Sequence, residues 1–191
     1  MRYRPQHKAE TRQRIVAMAG LRFRAEGVNS VGIANLMADL GLTHGGFYTH
    51  FANKEQLVAA ACQQAMQEME LRWREYLAEE RNGSALARLA DDYLSPAHRD
   101  FPDSGCVAAA LGGELARQSR EVRRAFSCGL RQLLDTLGEA QAADSALPAS
   151  ASLALMVGAL LLARAVDDDE LSARLLREAR QALDGKAAPA A

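Results

Sequence analysis

The chain has 191 residues, 49% of them hydrophobic, and a formal net charge of −1. That length allows one large domain or two small ones, and that apolar content is enough for a core, which excludes a disordered chain. Aromatic residues make up only 5%, so the core must be Leu, Ala, Val and Met, a set that favours helices over sheets. The small net charge hides an asymmetry. Residues 1–60 hold eight Lys/Arg against four Asp/Glu, or +4, and the remainder holds 15 against 20, or −5. A basic N-terminal third before an acidic remainder fits a nucleic-acid-binding head on a non-binding body. Cys62, Cys106 and Cys128 are an odd set without close pairs, and residues 1–30 lack the apolar core of a secretory signal. Together these predict free thiols in a reducing cytoplasm.

Residues 1–7 read as an arm with two open roles: a disordered end, or a reach of chain that brings Arg2 and Arg4 to phosphates or a neighbouring groove. A first helix is predicted over 8–26, with Ile15, Met18/Ala19 and Phe23 inward and Gly27 ending it. A second begins at Ser30 or Gly32. Its Ile33, Leu36, Met37 and Leu40 recur at i, i+3, i+4, i+7, one helical face. Gly41 can then take the left-handed conformation that ends a helix in a sharp corner. Leu42 plugs the corner and Thr43 can cap the next helix. Phe47 and Phe51, four apart, face back toward the earlier helix and leave His44, Tyr48, His50 and Lys54 outward. Two short helices joined at such a corner make a helix-turn-helix, whose second helix enters the DNA major groove.

Gly41-Leu42-Thr43, Gly45, Phe47-Tyr48-x-His50-Phe51 and Lys54-Glu55-x-Leu57 resemble the signature of TetR/AcrR-type bacterial transcriptional regulators. Thr11-Arg12-x-x-Ile15 and Phe23-x-x-x-Gly27 are placed as in that family, and the resemblance covers about residues 8–60. It implies that Tyr48, His50 and Lys54 contact backbone phosphates, a task suited to a phenol, an imidazole and an ammonium. Thr43 and His44, at the start of the recognition helix, are placed for base edges. Gly45 and Gly46 let the backbone approach the groove floor, with Thr49 beside them. Four positions depart from the family pattern: Gly32 for a capping Thr or Ser, Ala34 for Arg, Met37 for a small Ala at the helix crossing, and His44 for Lys. The first predicts a missing cap and the third a wider crossing.

A long helix is predicted from an Asn53 cap to about residue 81, where Asn82-Gly83 breaks it. Val58, Cys62, Ala65, Met69, Trp73 and Tyr76 form its apolar stripe, read as core. Helices are also predicted over 85–94, 106–117, 121–143, 148–166 and 168–183, with 95–105 a loop and 186–191 a disordered tail. The 121–143 segment carries Val122, Phe126, Leu130, Leu133 and Leu137 on one side. The apolar run 151–166 is short of the roughly 20 residues of a membrane span. The expected fold is therefore all-α, about nine helices, with a DNA head at 1–53 and a helical body at 54–185.

In the family the last two helices pair with those of a second copy as a four-helix bundle, so the resemblance implies a homodimer on a near-palindromic operator. Leu155, Leu160, Leu161, Leu175 and Leu176 are the seam candidates, and a charge at Leu160 is expected to give monomers. The first of the two helices is apolar nearly all round, which also suits a core helix of the body alone. The resemblance further implies a small inducer held between body helices, moving the heads apart and releasing DNA, with Trp73 and Phe126 as candidate lining. Gly105-Cys106-x-x-Ala109-x-Leu111-x-x-Glu114 is similar to a subset of these regulators, some of which sense electrophiles through a cysteine. Cys106 at a helix start can favour the thiolate, giving a sensor, or can be a small packing residue; both readings stand. Cys62 falls on the apolar stripe, and Cys128 has Arg124, Arg131 and Gln132 as helical neighbours. Zinc spacings, a Gly-x-Ser-x-Gly elbow and a phosphate loop are missing from the sequence, so neither catalytic residues, a metal nor a cofactor is expected. The acidic pairs Glu79-Glu80 and Asp91-Asp92 and the run 167–169 read as solvated helix ends. The competing functional class is a ligand-binding helical protein without sequence-specific DNA binding.

Overall fold

Asn53 opens the helix on which both halves of the molecule are packed. Its side chain accepts a hydrogen bond from Gln56 N at 2.9 Å, satisfying a free amide of the first turn. The computed structural model describes residues 5–79, 84–141, 145 and 147–185, and its regular elements there are all helical. In order they are α1 (Pro5–Glu26), α2 (Ile33–Asp39), α3 (His44–Phe47), α4 (Lys54–Ala78), α5 (Ala85–Tyr93), α6 (Pro96–Asp100), a 3-10 turn (Pro102–Ser104), α7 (Val107–Leu115), α8 (Arg120–Ala140), α9 (Ala149–Ala165) and α10 (Asp169–Leu183).

Along α4 the buried positions are Leu57, Val58, Ala59, Ala61, Cys62, Ala65, Met66, Met69 and Trp73, most of them on one helical stripe. The first turns of α4 pack on α1, and its length packs on α8, the most extensive helix pair in the chain. Gly129 of α8 makes that crossing close: a Cβ there would lie 2.5 Å from Met66 Cβ. Around this pair lie α5, α7 and the antiparallel partners α9 and α10. Ser172 of α10 is buried and donates to Ala163 O of α9 at 2.7 Å. Asp168 caps α10 by accepting from Glu170 N and Leu171 N, so this member of the acidic run 167–169 has a structural task.

The structure corrects the loop predicted over 95–105. Ser95 accepts from His98 N at 3.1 Å and Pro96 occupies the first turn, so a five-residue helix forms before the 3-10 turn. Two prolines that read as breakers are helix starters here. The helix predicted over 106–117 is shorter, with Cys106 its N-cap, and the one predicted over 121–143 ends at Ala140. α1 begins at Pro5, three residues before the expected start. Arg2 and Arg4, the break at Asn82-Gly83 and the tail 186–191 lie outside the described residues.

Of the five seam candidates, Leu160 is fully buried and Leu176 nearly so, both in the core of the single chain. Leu155 and Leu175 are half-buried, and Leu161 is 43% exposed beside Leu162 at 49%. A charge at Leu160 therefore breaks the core of one chain; the solvent-facing leucines of α9 are the next two. Among the described residues, no helix is long and apolar enough to cross a membrane.

α6 meets α7 through His98. Its Nδ1 lies 2.7 Å from Tyr93 O, an acceptor, so Nδ1 carries the proton, and Nε2 accepts from Cys106 N at 2.9 Å. Burial, helped by the nearby Arg164 guanidinium, pushes the His98 imidazole below its ordinary pKa, against the Tyr93 carbonyl that favours the charged form. Protonating Nε2 would break the Cys106 bond and bury a second cation. His50 is depressed in the same direction, first by desolvation and then by Lys8 and Arg12. Both groups contribute stability that is complete above the unfolded value of about 6.5 and is lost as pH falls through the lower folded values. The urea midpoint should thus drop between pH 7.5 and 5. His98→Gln, which can donate and accept but not titrate, should be less stable at pH 7.5 and show a shallower fall.

Candidate nucleic-acid interface

The corner between α2 and α3 is built as the residues require. Gly41 adopts φ +69°, and Leu42 N returns to Met37 O at 2.9 Å, closing the end of α2. Gly32, the N-cap of α2, makes no side-chain cap, in line with its lack of a hydroxyl. Thr43 caps α3 by accepting from Gly46 N at 3.2 Å. α3 is only four residues long and runs on as a turn, in which Thr49 Oγ1 donates to Gly46 O at 2.8 Å. Phe47 and Phe51 are buried and stacked, centroids 5.5 Å apart, holding this element to the rest of the head. Met37, larger than the usual residue at the crossing, is also buried, and a Cβ at Gly46 would lie 3.8 Å from its Cε. At that distance Met37 would be in ordinary contact with it; the tighter neighbour is Thr43 Oγ1, 3.3 Å from the same point. Gly45, by contrast, has open space where a Cβ would stand.

Thr43, His44, Gly45, Tyr48 and Thr49 are exposed together, with Tyr48 57% exposed and its ring edge-on to His44 at 5.7 Å. Thr43 and Thr49 also line a concavity of about 470 Å³, together with Lys8, Thr11, Met37 and His50 among others. His50 faces into it half-buried, its Nδ1 enclosed without a hydrogen-bond partner among the described residues. The exposed Lys8 lines this concavity; the exposed Arg12 acts on His50 by its charge, but its guanidinium stands 4.7 Å over the Phe51 ring and borders the neighbouring groove of Gln56 and Cys128. Sequence reasoning missed these two as site residues, although their spacing of four on the first helix puts them on one face. Lys54 sits differently from the outward placing expected of it. Half-buried, its Nζ donates to Val28 O at 2.6 Å, and desolvation lowers its pKa.

The proposed effector residues lie in the body. Trp73 is fully buried, edge-on to the buried Tyr93 at 6.1 Å, and Tyr93 meets the His98 ring at 4.6 Å. Cys106 is 1% exposed; the Tyr93 hydroxyl faces its thiol, and the guanidiniums of Arg24 and Arg164 are within electrostatic reach. Arg164 donates to the carbonyls of His98 and Arg99. Trp73 Nε1 and Arg164 Nη1 are buried without hydrogen-bond partners among the described residues, and Tyr93 Oη has only the Cys106 thiol beside it. Phe126 is half-buried on α8 against the core. Burial pushes the Cys62 thiol up to about 12, while Cys128 is exposed in the groove between α4 and α8.

Residues 22–61 match the family model of bacterial regulatory proteins of the TetR family. No curated protein matches the chain in sequence. Its fold is similar to the reduced form of E. coli NemR, at 23% identity over 95% of this chain and all of that one, TM-score 0.76. It is similar to SCO4454, a TetR-family transcriptional regulator of Streptomyces coelicolor, at 24% identity over 93% and 96% of the two chains, TM-score 0.71. It also resembles AibR in complex with isovaleryl coenzyme A and operator DNA, at 17% identity over 90% and 97%, TM-score 0.66. Residues 22–61 thus match the TetR-family head, and the whole chain shares the fold of the TetR-family transcriptional regulators it is similar to.

Proposed function

We propose that the protein is a cytoplasmic repressor that binds a near-palindromic operator as a homodimer and releases it when its body, residues 54–185, takes up an effector. The observation that carries this reading is the exposed cluster of Thr43, His44, Gly45, Tyr48 and Thr49, with Lys8 lining the same concavity as Thr43 and Thr49 and Arg12 within electrostatic reach of His50. Thr43 and His44 face base edges over the open Gly45–Gly46 backbone, while Tyr48, Thr49 and His50 hold phosphates with Lys8 and Arg12. Lys54 supports the head from behind, through Val28. One head with so short a reading helix covers few base pairs, which is why two copies are required. The exposed Leu161 and Leu162, flanked by the half-buried Leu155 and Leu175, form the seam.

The body's buried cluster supports a ligand-responsive role. Trp73 Nε1, Tyr93 Oη and Arg164 Nη1 all carry protons to donate, so an effector rich in acceptor atoms, such as a carboxylate or carbonyl compound, suits them. AibR shows that this fold can hold an acyl coenzyme A and operator DNA together. A second route, attack of an electrophile or oxidant on Cys106, requires the junction of α6 and α7 to open, because the thiol is enclosed.

On a duplex selected by the wild type from a random pool, Lys8→Ala and Arg12→Ala should each flatten the slope of log affinity against log salt by about one. His44→Ala should leave that slope alone and relax base preference by about 1–3 kcal/mol at one position. A wild type that selects nothing refutes the regulator reading. In sedimentation, Leu161→Glu with Leu162→Glu should give helical monomers, and a monomeric wild type at micromolar concentration would rule out the seam. N-ethylmaleimide should release DNA from the wild type and not from Cys106→Ser; equal release discards the thiol route.

A further inference from the structure

Gly27 ends α1 with φ +86°, and the next amide, Val28 N, donates to Glu114 Oε2 of α7 at 3.0 Å. The carboxylate lies so close that a Cβ at Gly27 would stand 2.5 Å from Glu114 Oε1. On the other side of the same residue, Val28 O accepts from Lys54 Nζ of α4. Val28 is thus held on its N–H by a body helix and on its C=O by the long helix, at the point where the chain leaves α1 for the helix-turn-helix. A carboxylate beside a helix C-terminus is disfavoured by the helix dipole. Here the Val28 amide and the Lys54 ammonium, which feels the Glu114 charge, hold it in place. At the opposite end of α7, Cys106 N is fixed to His98. One rigid helix about 13 Å long, at 1.5 Å per residue, therefore joins the buried cluster of the body to the entrance of the head.

We propose that Glu114 is a positioning residue for DNA binding: its hydrogen bond to Val28 N sets the angle of the head, and displacement of α7 reaches the DNA site through it. This rests on the reading of the chain as an effector-responsive DNA-binding regulator. The effect of Glu114 on DNA is exerted through the Val28 turn and α2 rather than by contact with a base or phosphate.

The test uses the full chain, with hydrogen exchange and duplex affinity measured on the same variants. Glu114→Ala should raise exchange at the Val28 amide and across residues 29–39 by about tenfold, with α8 unaffected, and weaken binding to the wild-type-selected duplex by about tenfold. Glu114→Gln, which keeps an acceptor oxygen, should exchange like the wild type and bind within about threefold of it. Faster exchange in Glu114→Ala with unchanged affinity would overturn the proposal, since the contact would then be structural only. Equal weakening in both variants would overturn it too, because charge rather than the hydrogen bond would be at work. A wild type that selects no duplex sinks the regulator reading and this one together. A wild type that binds well while Val28 exchanges alike in all three proteins sinks only the role of Glu114.

Discussion

The close packing of α4 on α8 is the constraint on which the rest of the structure depends. Gly129 brings the two backbones together over Met66, and between them α4 buries an unbroken stripe from Leu57 to Trp73. Interiors packed to crystal density transmit displacement instead of absorbing it. Since the first turns of α4 also form part of the floor of the head, with Leu57 and Val58 buried against α1, no independent core separates reader from body. Any change in the volume beside Trp73 must therefore be accommodated by a shift of α4 or of the helices that touch it.

Electrostatics divide along the same line. The outer wall of the head carries exposed cations, Lys8, Arg12 and Arg14. Cations nearer the body have local tasks. Arg22 pairs with Glu26 at 2.7 Å and Asp39 at 2.6 Å, fastening α1 to the end of α2. Arg24 is buried and donates to Asp103 O at 2.5 Å, fastening α1 to the 3-10 turn. Exposed pairs of the first kind contribute little individually. The buried guanidinium matters more, because losing its acceptor would leave a desolvated charge unpaired. The +4 of the N-terminal third is thus only partly available to DNA, and formal charge overstates the attraction.

Much of this was legible in the sequence, for definite reasons. The helix-turn-helix follows from signals that act locally: a glycine with positive φ, a threonine with an amide three residues on, and two phenylalanines at i and i+4. The long helix and its stripe follow from period and cap. What escaped depends on partners distant in the chain. Leu160 and Leu161 are indistinguishable by periodicity in a helix apolar all round, and only the position of α10 and the body decides which is inside. Lys54 carries a motif that suggests an outward charge, but Val28 O, 26 residues earlier, claims it. The helix at Pro96–Asp100 was hidden because proline after serine reads equally as a turn or as a capped first turn, and the choice is settled by His98 reaching Tyr93 and Cys106.

The shortness of α3 determines how the head can read DNA. Four residues give barely one turn, and Thr43 already uses an oxygen lone pair on Gly46 N, leaving its hydroxyl proton as the one new donor it can offer. His44 supplies an imidazole without a committed partner in the cluster, and Gly45 offers only backbone. On the proposed reading, base-edge contacts would therefore be few, and most of the remaining surface, from Tyr48 to the α1 cations, would serve phosphate. Such a reader discriminates by fixing its register on the backbone so that a small number of edges must match. It follows that the angle at which α3 is presented matters as much as its side chains. On the proposal made for Glu114, a head positioned through the Gly27–Val28 turn, and not by an extended recognition surface of its own, would lose specificity whenever the body moves.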